Sequence, residues 1–224
     1  MTNTVKVWDL PLRVCHALLP VFLIALWYLA SHSDDDYRYI DWHMLLGYCF
    51  IGVIIFRLLW GFIGSRYARF SALLLHPRFI IQEFKQNTPI STGHGGAGSW
   101  MTLIMWMLLL LQCISGLFVF DDGLYVGGPF SVWLDDDTID WVRTIHYWNF
   151  DLITVLACAH ILAILAYRVR GKNYAKAMVT GRKDRALVVP DAVAIDEHYR
   201  LRFVLAFVFC AGVVAALFYY FPLS

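Results

Sequence analysis

The 224-residue chain is 60% apolar and 16% charged, well above the apolar share of about 45–50% in soluble domains, so a membrane protein is the first class to consider. Its net charge is +1 and no basic patch interleaves with exposed aromatics, which sets nucleic acid aside as a partner. The five cysteines, Cys15, Cys49, Cys113, Cys158 and Cys210, lie in apolar segments without Cys-x-x-Cys spacing, which argues against covalent c-type haem, zinc and a disulfide framework.

Taken in chain order, five segments are apolar over the roughly 20 residues that a helix needs to cross the hydrocarbon layer. They are 12–31, 43–63, 99–120, 144–167 and 203–222. The first is too long for a signal-peptide core and Ala30-Ser31-His32 is a poor cleavage site, so it is read as a retained helix. Trp8, Trp27, Trp42, Trp60, Trp100, Trp133, Trp141 and Trp148 cluster near the ends of the first four spans, as an interfacial aromatic belt does. Residues 64–98 and 168–200 are basic, carry Pro77, Pro89 and Pro190, and read as polar, partly amphipathic connections. The expected fold is an all-α integral membrane helical bundle: a four-helix core over 1–170, a basic cytoplasmic connection over 171–200, and a fifth transmembrane helix over 201–224.

Of the 18 Lys and Arg, only Arg38 and Arg143 belong to the first and third of the connections between spans. The positive-inside rule then places the N-terminus in the cytoplasm and the C-terminus outside. The opposite face is acidic, with Asp34, Asp35, Asp36 and Asp41 in one connection and Asp121, Asp122, Asp135, Asp136, Asp137 and Asp140 in the other, a surface suited to a basic partner.

Ionisable residues within spans are costly and mark function. His146 and His160 stand fourteen residues apart on the fourth span, on nearly one face and about 21 Å apart along a helix axis. Alternating span directions put His16 at the inner level with His160, and His43 at the outer level with His146. Two histidines per level suit bis-imidazole ligation of one haem iron by facing helices. The pairs are His16 with His160 and His43 with His146. Gly47, Gly98 and Gly116 are small positions where a macrocycle or a backbone can approach closely. Arg13 and Arg143, each three residues before a proposed ligand, are candidate partners of haem propionates. Arg57 is expected to snorkel to the inner surface, and His32, His76 and His198 to lie in loops or at surfaces.

These residues together resemble the bacterial di-haem cytochrome b family that includes the b-type subunits of nickel-iron hydrogenases and formate dehydrogenases. The resemblance is carried by Val7-Trp8-Asp9-Leu10-Pro11-Leu12-Arg13-Val14-Cys15-His16, His43 with Leu46-Gly47-Tyr48, Arg57-Leu58-Leu59-Trp60-Gly61, Tyr67-Ala68-Arg69-Phe70, Gln112 with Ser115-Gly116-Leu117-Phe118, and the step from His146 to His160. It covers residues 5 to about 170 and implies two b haems and quinone chemistry near the inner one. Relatives carry a Gly-His-Asn-Pro-x-Gly-like stretch at the quinone pocket. Here it reads Gly93-His94-Gly95-Gly96-Ala97-Gly98, without the Asn and Pro, and makes His94 and Gly98 the candidate quinone residues.

The expected function is electron transfer across a bacterial inner membrane, between a periplasmic c-type cytochrome or oxidoreductase subunit and the quinone pool. The alternative is a self-sufficient superoxide-to-quinone oxidoreductase, which needs a basic outer pocket to steer a small anion. A non-redox scaffold leaves such regularly spaced histidines without a structural reason.

Overall fold

The computed structural model describes residues 4–33, 36–86, 89–123, 125–190, 192–195 and 199–221. Asp34, Asp35 and His198, and the end of the expected fifth span at Pro222, lie outside them. The protein is all-α: α1 (Leu10–Ser31), α2 (Arg38–Ile63), α3 (Arg78–Lys85), α4 (Gly96–Gly116), α5 (Asp136–Val169), α6 (Tyr174–Thr180) and α7 (Arg200–Tyr220). Two short antiparallel pairings join β1 (Thr4–Lys6) to β4 (Arg182–Asp184) and β2 (Phe120–Asp121) to β3 (Val126–Gly127).

Helices α1, α2, α4, α5 and α7 are each long and apolar enough to cross a membrane. Their large apolar side chains point mostly outward, Val155, Leu162 and Phe207 among them, as a lipid rather than an aqueous surround requires. Several boundaries move from those expected. Helix α5 starts eight residues earlier than hydropathy suggests, because Asp135 Oδ1 accepts from Thr138 N (2.8 Å) and caps a first turn holding Asp136 and Asp137, with their negative charge at the positive end of the helix. Helix α4 stops at Gly116, where Phe118 N and Val119 N turn back to Ser115 O and the chain enters β2.

The chain divides into two compact units, to each of which α1, α2, α4, α5 and α7 contribute a stretch. The first comprises Met1–His16, Arg57–Met105 and Leu156–Ala206. Its centre is the Asp9 carboxylate, fully buried, which accepts from Leu12 N (2.8 Å), Trp60 Nε1 (3.1 and 3.0 Å) and Ser65 N (3.3 Å). One side chain thus caps α1 and ties it to the end of α2. Trp8 and Trp60 are core residues here, 4% and 0% exposed, rather than belt residues, because the Trp60 indole N–H is committed to Asp9. Trp27, Trp42, Trp133, Trp141 and Trp148 are exposed, as the belt reading requires. Helix α6 is capped by Asn173 Oδ1 on Lys176 N (3.0 Å) and ends at Gly181 in a left-handed conformation (φ +76°). A side chain at Gly181 would also strike the Trp8 carbonyl, so glycine is required twice over.

The second unit comprises Ala17–Phe56, Trp106–Val155 and Phe207–Ser224. Within it α7 lies close against α2, since a Cβ on Gly52 would stand 2.5 Å from Val214 Cγ2 and the Tyr48 and Phe218 rings meet edge to face at 5.6 Å. In the first unit the same two helices meet through the Trp60 ring on Tyr199 and Phe203.

Gly61 packs flat against the Phe70 ring, leaving no room for a Cβ. Gly61→Ala is expected to cost about 1–3 kcal/mol through overpacking. Thermal unfolding in detergent should show the lower midpoint, with Gly212→Ala, where nothing lies within 4 Å, unchanged.

Candidate functional site

The first unit brings His16 of α1 and His160 of α5 together, with ring centroids 6.3 Å apart and planes inclined at 57°. Two imidazoles bound to opposite sides of one metal ion have centroids about 6 Å apart, from bonds of about 2 Å plus about 1 Å from nitrogen to ring centre on each side. The spacing fits two axial ligands of one iron. Pro20, one turn after His16, has no N–H to donate to the His16 carbonyl.

In the second unit His43 Nδ1 donates to the Leu26 carbonyl (2.9 Å), which orients the ring and leaves Nε2 as the nitrogen with a lone pair. This is the outer-shell bond that metal-ligating histidines characteristically make. Gly47, one turn on, has nothing within 4 Å of the position of a Cβ, a cradle for a flat group. His146 sits in a polar network buried in the span. Asn149 Nδ2 donates to Leu108 O (2.9 Å) and to Gln112 Oε1 (2.6 Å). That orients the Gln112 amide so that its nitrogen donates to His146 Nε2 (3.0 Å). His146 Nδ1 then donates to Ser115 Oγ (2.9 Å), which in turn donates to Gln112 O (3.2 Å). The network selects the Nδ1–H tautomer, which leaves Nε2, now facing the Gln112 amide, as the nitrogen with a lone pair. Gly116 is the close approach to this ring: a Cβ there would lie 3.0 Å from His146 Cε1.

The arginines are placed differently from one another. Arg13 Nε donates to Met178 O (3.1 Å) and its second guanidinium nitrogen to Val179 O, so it satisfies the last carbonyls of α6. Arg143 bridges Asp140 (2.5 Å) and Asp122 (3.3 Å). Arg57 does not snorkel to the surface. It is 4% exposed, with its guanidinium 5.2 Å from the Phe70 ring centre; Gly61 lets Phe70 close over this position, so the side chain is covered before it can reach water.

His94 precedes α4 and stacks at 4.8 Å on Trp8, and Gly98, one turn on, lies in ordinary contact with it. Beside it is Lys183, a residue that sequence reasoning did not single out. Lys183 is 4% exposed, its Nζ donates to Thr92 O (2.9 Å) and Gly93 O (2.6 Å), and it faces the Trp8 and Tyr174 rings at 5.3 Å each. Its position opposite Val5 in the β1–β4 register has no local sequence signal. Burial, only partly offset by the Glu83 charge, pulls its pKa down to about 8. Burial first, then the charges of Lys183, Arg57, His16 and His160, pushes His94 down to about 3, so its imidazole is neutral at physiological pH and can accept one hydrogen bond while donating another.

Five apolar membrane-length helices and one pair of facing imidazoles at a spacing that suits a shared metal ion are the features of a membrane cytochrome. A family model described as prokaryotic cytochrome b561 matches residues 7–181, and the chain belongs to that family. It is a multi-pass membrane protein that binds haem b and transfers electrons across the membrane. No curated protein and no solved structure matched the chain.

Two outcomes test this geometry. Ser115→Ala removes the acceptor that fixes the His146 tautomer and is expected to weaken retention of one haem by about tenfold or more, read by haem occupancy after detergent dilution. The unfolded chain binds a proton at His94 near pH 6.5 and the folded chain only near 3. Stability from this group is therefore full above about pH 6.5 and is lost as pH falls toward 3. His94→Leu should flatten that part of the acid-unfolding curve.

Proposed function

We propose that the chain carries electrons between a periplasmic redox partner and the quinone pool through two b haems. In a bacterial inner membrane with the N-terminus in the cytoplasm and the C-terminus in the periplasm, the haem on His16 and His160 lies toward the cytoplasm, and that on His43 and His146 toward the periplasm. The observation that carries this reading is the 6.3 Å spacing of the His16 and His160 rings. The bonded Nδ1 atoms of His43 and His146 support the second pair. When bound, haem supplies the one-electron chemistry. The histidines would hold it, with the tautomers of His43 and His146 set by their Nδ1 hydrogen bonds.

Quinone is assigned to the inner pair because His94 lies within electrostatic reach of His16 and His160 and carries a neutral imidazole able to bond a carbonyl oxygen. Gly98 leaves the face of His94 open to such a ring. For the partner, the acidic residues of the outer connections favour a basic c-type cytochrome or oxidoreductase subunit over superoxide. Arg38 is paired with Asp36 (2.7 Å) and Arg143 with Asp140 and Asp122, so both outer arginines are committed to carboxylates instead of forming a basic funnel.

The test is the haem content and reduced-minus-oxidised spectrum of the detergent-purified chain and its single His→Ala variants. Two haems per chain are expected. His16→Ala and His160→Ala should lose the same one, and His43→Ala and His146→Ala the other. A chain without haem when made under haem-replete conditions overturns the reading.

A further inference from the structure

Helix α2 carries one charge through the apolar stretch from Cys49 to Ile63, and that charge is Arg57. A guanidinium withdrawn from water to 4% exposure is costly within a membrane span unless its charge is used. Trp60 follows Arg57 by three residues and so shares its helix face. The Trp60 indole reaches Asp9 at the head of α1. The Arg57 face is thereby turned toward α1, and Asp9, Cys15 and His16 all lie within electrostatic reach of the guanidinium. His16 follows Asp9 by seven residues, about 10 Å along α1. Both charges are immobile. Phe70 covers Arg57 at 5.2 Å, and three separate donors hold the Asp9 carboxylate.

We propose that Arg57 and Asp9 form a buried, opposed charge pair that sets the reduction potential of the haem held by His16 and His160. Arg57 raises the potential and Asp9 lowers it. The inference rests on the assignment of those histidines as a ligand pair. Reduction of ferric to ferrous haem adds one electron, so a fixed cation nearby stabilises the reduced form and a fixed anion the oxidised form. A unit charge about 10 Å away at an effective dielectric of about 20 changes a one-electron equilibrium by roughly tenfold or more, about 59 mV for each tenfold. Neither residue touches the reacting atoms by this argument. They are positioning residues acting through their fields.

The experiment is a redox titration of the haem absorption band in the purified, haem-loaded full chain, with a chemical reductant and mediators. The variants are Arg57→Gln, Arg57→Lys, Asp9→Asn and His16→Ala. Arg57→Gln should lower one of two components by about tenfold or more in equilibrium constant. Asp9→Asn should raise that same component, and Arg57→Lys should stay near the wild type. The affected component should be the one missing from His16→Ala. Shifts of the same sign in both neutralised variants, no shift in either, or a shift in the component that survives His16→Ala would overturn the pair's role. If Arg57→Gln or Asp9→Asn fails to take up haem, the other neutralised variant decides together with Arg57→Lys: its expected shift beside an unchanged Arg57→Lys upholds the proposal, and no shift in it, or a loss of potential in Arg57→Lys, overturns it. Retention of both components by His16→Ala defeats the ligand assignment itself, a separate result.

Discussion

A carboxylate removed from water has to find its donors inside the protein, and the first unit is organised around that demand at Asp9. The three groups that meet it are an N–H of the first turn of α1, an indole at the end of α2, and a backbone N–H in the turn that follows. The first lies far along the chain from the other two, so satisfying one side chain fixes where α1 starts and α2 stops. Replacing the carboxylate by a methyl would leave three buried donors facing nothing, a far larger penalty than the modest net worth of each bond. His16 is aimed by the same helix that Asp9 caps, and Arg57 by the same helix that carries Trp60.

The second unit solves the polar problem differently. Its histidine at 146 is held by neutral partners, Gln112, Ser115 and Asn149, each with its hydrogen-bonding groups directed to another member or to a backbone carbonyl. A closed network of this kind adds no net charge to the span and gives the imidazole a single tautomer. The His16–His160 pair and His146 therefore sit in different fields, one beside buried cations and one among amides and a hydroxyl. Field differences of this sort are among the means by which a protein sets the potential of a bound haem.

The number of spans and their approximate extents were legible because a bilayer enforces apolar runs of fixed length, and the four histidines stood out because it makes every imidazole within a span conspicuous. What escaped the sequence was whatever depends on contact between distant segments. Trp8 and Trp60 looked like interfacial residues, since composition cannot distinguish a ring at the headgroups from one bonded to a buried carboxylate. Arg57 looked free to reach the surface because Phe70, which covers it, belongs to the next connection. Lys183 resembled the other basic residues of its segment, and only the pairing of β4 with β1 buries it. Asn149 was readable in principle, as a polar residue one turn from His146 within an apolar span.

That strand pairing also bears on how the protein is made. Arg13 finds its carbonyl partners 165 residues further along the chain, and β1 finds β4 at a similar remove. At about 5–20 residues per second a ribosome takes roughly 10–35 s to cover that interval. During it α1 is already committed to the bilayer while the chain that closes over its N-terminal end is still unmade. The contacts that Arg13 and β1 make are thus completed only after the fourth span has been synthesised.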